Sequence, residues 1–222
     1  PLNCDNQELR GMRAINLADA LISSGHKVEI VSTKFFHQKK FFRNLPKKNY
    51  PKNNLVETLI SSTGYEKNIS LKRFLDHHVL FFTLLYYLAK SKDKPDLMFI
   101  GCPPLEWALA ATIYSYIKNI PTVVDIKDLW PDIFWDKPKI SNLKKLLLQI
   151  IFTPYIFYAS IIATFATYIT GPTIELADFF TSKYKIKFIS AIFNKKHPKT
   201  FASPIVPPTE ISKININLDK KI

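Results

Sequence analysis

The chain has 222 residues, room for one large α/β domain, and at 47% hydrophobic and 14% aromatic it carries ample material for a core, which excludes global disorder. A formal net charge of +13 favours nucleic acid, an anionic membrane face or a phosphorylated substrate as partner, without choosing among them. The two cysteines, Cys4 and Cys102, form no CxxC or Cys/His cluster, which disfavours a structural zinc site and a disulfide framework and makes a reducing cytoplasm the simpler setting.

The opening PLNCDNQELR has neither Met nor a hydrophobic h-region, so no signal peptide is expected, and with no strand before the first helix the natural N-terminus is expected upstream. Residues 6–24 place Leu9, Met12, Ile15, Leu17, Ala18, Leu21 and Ile22 at a helical period, Gly25 supplies a stop, and residues 27–33 alternate as a strand. Residues 34–54 are basic and aromatic with little periodicity and read as a long loop. A strand is expected at 55–61, and a helix over 70–90 with Ser70 as its cap. A short buried strand at 97–101 leads to a helix at 105–118, opened by Pro103 and Pro104, and then to a strand at 122–126. Strands alternating with helices of ten or more residues imply a parallel, doubly wound α/β sheet.

Residues 146–174 contain no charged side chain over 29 positions, long enough to span a bilayer. Pro154 and scattered polar residues argue against a simple span, and a helix lying in the membrane interface is preferred over a buried domain helix. A strand at 166–170, a helix at 175–184 and a last strand or return segment at 186–192 follow, and residues 194–222 read as a poorly ordered tail.

The most informative stretch is VVDIKDLWPDIFW, residues 123–135. A buried parallel strand ending in Asp125, Lys127, Asp128 and Trp130 would deliver carboxylates and an aromatic to the rim of a crevice, where open α/β sheets bind ligands. Asp125 and Asp128 are candidate general bases for a hydroxyl nucleophile; equally, Asp128 can cap a short helix begun by Pro131 while Asp125 bonds loop amides. Trp130 and Trp135 can stack on a sugar ring or anchor the core. The segment STKFFHQKKFFR interleaves Phe35, Phe36, Phe41 and Phe42 with Lys34, Lys39, Lys40 and Arg43, a pattern suited to single-stranded nucleic acid or, preferred here, to an anionic lipid surface. On the helix at 70–90, Lys72 and Arg73 near the N-terminus would suit a phosphate, and His77 or His78 with Asp76 would suit a base and its orienter; a solvated helix face is the plainer alternative. No GxGxxG, GxxxxGK[ST], HExxH or GxSxG occurs, which removes the usual support for nucleotide, zinc-protease and serine-hydrolase readings.

The order LADALISSGHKVEIVST, FHQKKFFR, GYEKNISLKRFLDH, PDLMFIGCPPLEWALAA and PTVVDIKDLWPD resembles the bacterial family 4 glycosyltransferases, nearest the branch that builds surface polysaccharide, over residues 8–190. The resemblance implies a retaining transferase of two Rossmann-like domains. The N-terminal domain takes a lipid-linked acceptor at the inner face of the plasma membrane, and the C-terminal domain takes a nucleotide-sugar donor, with no metal or cofactor. It makes residues 1–193 the acceptor-binding domain, with a membrane-associated helix at 142–165. It also implies catalytic roles for Asp125 and Asp128, and substrate binding by Lys127, Trp130, Asn68, Arg73, Asp76 and His77. The family's glycine-rich first loop and its donor domain with a Glu-x7-Glu pair are missing from this sequence, so the expectation is the acceptor half of a transferase, inactive alone. The alternative is a non-catalytic membrane-docking subunit that recruits a donor-binding polypeptide; a nucleic-acid partner, resting on charge alone, is not expected.

Overall fold

The structure, a computed structural model, describes residues 13–43, 54–68, 70–135, 140–186 and 198–202. The chain forms two compact units that divide after Ile60, and each is described by itself.

In the first unit, α1 (Arg13–Ser23) turns through Gly25 into β1 (Val28–Thr33), which pairs in parallel with β4 (Leu55–Ile60) from Val28↔Leu55 to Thr33↔Ile60. The reading of residues 6–12 lies outside the described residues. Part of the expected long loop is instead an antiparallel hairpin, β2 (Phe35–Phe36) with β3 (Phe41–Phe42), in which Phe36 faces Phe41 edge-on at 5.5 Å. Its base is fastened by Arg43. The backbone N–H of Arg43 donates to the Lys34 carbonyl at 2.8 Å, its guanidinium donates to the Thr33 carbonyl and to Ser32 Oγ, and Nη1 lies 3.8 Å from the Glu57 carboxylate. Arg43 and Glu57 are both buried. Cross-strand aromatic pairs and this buried ion pair supply order that two-residue strands lack on their own.

The second unit is built on four parallel strands in the order β5 (Met98–Cys102), β6 (Thr122–Ile126), β7 (Tyr168–Gly171) and β8 (Lys199–Ala202). The alternation of strand and helix expected from the sequence is thus the observed Rossmann-like α/β architecture. β6, flanked on both sides, is buried almost throughout, as a central parallel strand must be. At the end of β7 a side chain would be crowded: a Cβ on Gly171 would sit 3.2 Å from the Thr173 carbonyl and 3.4 Å from that of Ile126. β8 falls inside the segment expected to be a tail. Its residues are ordered because β7 offers them a row of backbone partners, Tyr168↔Lys199 to Gly171↔Ala202. The expected return segment at 186–192 lies almost wholly outside the described residues, as does 203–222.

Helix α3 (Leu105–Lys118) packs on β5 and β6, and α2 (Leu71–Lys90) packs on α3. Ser70 Oγ accepts the Arg73 N–H at 3.2 Å, the cap anticipated at that position. The uncharged stretch starts inside α4 (Asn142–Ile151), takes in α5 (Thr153–Phe165) and runs on through β7, the two helices being bent by 67° where Pro154 opens the second. They differ sharply. α5 buries Tyr155, Ala159, Ile162, Ala163 and Thr164 against α3 and α6 (Ile174–Tyr184), whereas α4 buries no side chain at all. Among the described residues no single helix is long and apolar enough to cross a membrane; α4 and α5 together reach that length and composition only as a bent pair.

Candidate functional site

The carboxyl ends of β5 and β6 are where a parallel sheet offers its loops to a ligand. Asp125 is fully buried at the end of β6, level with Gly101 and Thr170 on its neighbours, and it accepts the Thr170 hydroxyl at 3.1 Å. Lys127 and Asp128 follow it into the open and are exposed. The Lys127 N–H donates to the Cys102 carbonyl at 2.8 Å, and its ammonium stretches over Gly101, 3.2 Å from where a Cβ would stand. Asp128 does not cap a helix with its side chain. Its carbonyl takes the Trp130 N–H at 2.8 Å, and the short 3-10 turn Asp132–Phe134 is preceded by Pro131. The third acid of the run, Asp132, is buried and structural, receiving Lys183 Nζ and the Tyr184 hydroxyl from α6.

A second set of groups converges beside Trp130. Arg73, on the first turn of α2, lies over the Tyr65 ring at 5.5 Å and the Trp130 ring at 5.7 Å. Its Nη1 donates to the Asn68 carbonyl at 2.7 Å and its Nε donates to His77 Nε2 at 3.4 Å. A guanidinium held between two aromatic faces is oriented without being neutralised. Asp76, one residue before His77, is 1% exposed and serves the loop that carries Tyr65: it accepts the Gly64 N–H at 2.6 Å and the Thr63 hydroxyl at 3.1 Å. Gly64 takes φ +69 to make that turn, a left-handed value that favours glycine.

Beneath these residues lies Glu106, in the first turn of α3 and 1% exposed. His77 Nδ1 is 3.4 Å from one carboxylate oxygen and His78 Nδ1 is 3.8 Å from the other, with the Tyr155 hydroxyl directed at the same group. Burial by itself would raise the Glu106 carboxyl, but the hydrogen bond from His77, helped by Tyr155, outweighs it and holds the group below the ordinary carboxylate value. The Tyr155 phenol is pushed up by burial and then by the Glu106 charge and hydrogen bond, so it stays protonated and directs its O–H at the carboxylate. Tyr155 also packs 5.9 Å from Trp130 and 6.1 Å from Phe74, and Tyr158 bonds His78 Nε2 at 3.2 Å, so α5 walls the site with aromatic rings.

The two sets share a neighbour. The buried Cys102 thiol, at the end of β5, is raised by burial and by the Glu106 charge, lowered by Lys127, and raised again by Asp125 and Asp128. Of the residues singled out in the sequence, Arg73, His77, Trp130 and Asn68 come together directly, Asp76 supports them, and Asp125, Lys127 and Asp128 occupy the adjacent strand end. Sequence reasoning passed over Glu106, Tyr65 and Tyr155. The available signal for Glu106 was an acid in the first turn of an otherwise apolar helix directly after a strand. Among the described residues no three His, Cys, Asp or Glu side chains gather as metal ligands. A wide cleft between α6 and β8, lined by Asp178, Thr181, Ser182, Lys199, Thr200 and Phe201, involves none of these groups.

No family model matches the sequence, and no curated protein does. Among solved structures, the chain is similar in fold to Arabidopsis thaliana UGT89C1 complexed with UDP, at 10% identity and a TM-score of 0.49. The match covers 90% of this chain and 51% of that one, so the chain spans about half the length of the structure it matches. A likeness of this size concerns fold alone.

Proposed function

We propose that this chain is the acceptor-binding half of a retaining glycosyltransferase of the family 4 type, extending a lipid-diphosphate-linked glycan in surface polysaccharide synthesis. The observation that carries the proposal is Arg73, held between Tyr65 and Trp130 and beside the His77–Glu106 pair at the mouth of a parallel sheet. A guanidinium suits a diphosphate, aromatic faces suit a sugar ring, and an imidazole suits its hydroxyls. Asp125 and Asp128 are proposed to act at the same rim, Asp128 toward ligand and Asp125 through the strand end it braces, with Lys127 as a further cation for the diphosphate. The nucleotide-sugar donor is assigned to a separate donor domain. Binding of a short-chain prenyl diphosphate sugar to the full chain in zwitterionic micelles, read by tryptophan fluorescence, tests the reading. Arg73→Ala should weaken binding at least about tenfold; no binding by the unaltered chain would refute it.

The proposed setting is the cytoplasmic face of the plasma membrane, with the anionic lipid surface as partner and no nucleic acid. It is supported by the exposed apolar face of α4 and the basic residues beside it. The same face favours a second reading, in which the chain is a non-catalytic docking subunit that recruits a donor-binding polypeptide. Vesicle binding without any affinity for the prenyl diphosphate sugar would select it.

A further inference from the structure

The neighbours of His77 assign its tautomer. An arginine Nε–H can only donate, and it approaches Nε2 at 3.4 Å, so Nε2 must present its lone pair. A carboxylate can only accept, and Glu106 lies 3.4 Å from Nδ1, so Nδ1 must carry the hydrogen. His78 is fixed the same way: its Nδ1 lies 2.9 Å from the Phe74 carbonyl, which can only accept, and its Nε2 faces the Tyr158 hydroxyl at 3.2 Å. The Glu106 carboxylate is buried, and its oxygens face His77 Nδ1 at 3.4 Å, His78 Nδ1 at 3.8 Å and the Tyr155 hydroxyl. Burying a carboxylate is costly, and an apolar side chain of the same size would avoid that cost. What the carboxylate does supply is an acceptor for His77 Nδ1–H, which leaves Nε2 facing Arg73.

We propose that Glu106 is the positioning residue of this site, holding His77 in the Nδ1–H form so that Nε2 accepts a hydrogen bond from a ligand hydroxyl next to an anion bound by Arg73. Arg73 is then both placeholder and receptor: a diphosphate that takes its guanidinium releases Nε2 for the hydroxyl. This rests on the acceptor reading above and refines it, since a diphosphate and a sugar hydroxyl held side by side are what a diphosphate-linked sugar presents. The groups facing His77 are Arg73 on its own helix, Tyr65 from the preceding loop at 6.2 Å between ring centroids, and Glu106 from α3.

The test uses the full chain. Long-range proton–nitrogen spectra of the imidazoles at neutral pH, assigned with H77Q and H78Q, should show Nδ1 protonated and Nε2 bare in both rings. An Nε2–H form or an imidazolium at His77 would overturn the proposal before any ligand is added. Binding then separates the roles. Glu106→Leu should weaken a prenyl diphosphate sugar about tenfold and leave the sugar-free prenyl diphosphate unchanged. Glu106→Gln, which still offers an amide oxygen to Nδ1–H, should restore the tautomer and most of the affinity. Equal loss for both ligands, or no rescue by glutamine, would reduce Glu106 to a packing role. If the leucine variant does not fold, the wild-type tautomer and the glutamine variant still decide. Failure of the unaltered chain to bind either ligand would instead overturn the acceptor reading, with the imidazole spectra deciding the tautomer on their own.

Discussion

Removing two side chains from the exposed face of α4 should weaken membrane binding by a predictable amount without unfolding the chain. Leu143, Leu146, Leu147, Ile150 and Ile151 fall at successive helical steps on one face and are each between 51% and 69% exposed. Fully burying a leucine or isoleucine contributes about 1.5–3 kcal/mol, so seating a side chain already about one-third covered contributes about 1 kcal/mol or a little more. Ile150→Ser with Ile151→Ser therefore costs about 2 kcal/mol of transfer energy, near a thirtyfold loss in partition coefficient. Because α4 buries none of its side chains, thermal stability should be unchanged. The assay is sedimentation with vesicles of mixed zwitterionic and anionic lipid, the double variant beside the parent chain. Lys144→Gln with Lys145→Gln should weaken binding by about 1 kcal/mol per lysine and abolish part of its salt sensitivity. Unchanged partition of the isoleucine variant would refute the reasoning, because the exposed apolar face of α4 would then have no part in the interaction.

Three further outcomes are expected. Arg43→Met should destabilise the first unit by about 3–5 kcal/mol, because it removes the cation paired with the buried Glu57 carboxylate and the guanidinium bonds to Thr33 and Ser32, and adding Glu57→Leu should recover part of that loss, both measured by denaturant titration. Glu106 has a folded value below its unfolded one, so its stabilisation is present above about pH 4 and is lost as pH falls through the lowered value. Denaturation midpoints followed into acid should therefore fall less steeply for Glu106→Gln than for the parent. In a Cys4→Ser background, Cys102 should resist maleimide at about pH 8 until the chain is unfolded, since burial keeps its thiol protonated and out of reach; fast labelling of the folded chain would contradict this.

Much of the architecture was readable because it depends on local signals. The apolar run into Asp125, the Ser70 cap and the alternation of strands with helices are written in neighbouring residues, and among the described residues these appear where the pattern puts them. The hairpin at Phe35–Phe42 escaped because two-residue strands are too short for a period to register, and its order comes from Arg43 and Glu57. β8 escaped for a related reason. Its sequence is that of a tail, and only β7 makes it a strand. In the candidate site the sequence offered His77 or His78 with the nearby Asp76 as its orienter. Adjacent helical residues do not face each other, and the structure turns Asp76 to the loop at Gly64 and His77 to Glu106 on a different helix. Only the packing of α2 on α3 brings that acid within reach.

The clasp formed by Asp76 has a consequence for how this site can vary. Tyr65, one of the two rings gripping Arg73, is seated by backbone and hydroxyl bonds to a side chain on the very helix that carries Arg73. Ring and guanidinium therefore share one foundation, and the connection from Glu66 to Asn68 can lengthen or shorten while the two ring contacts stay intact, at the expense of the contacts that the Lys67 and Asn68 carbonyls and the Glu66 carboxylate make with Ser70, Arg73 and Lys72. Insertions there would reshape the rim while leaving its anchor in register, which makes this short connection the natural place to diversify what the site accepts.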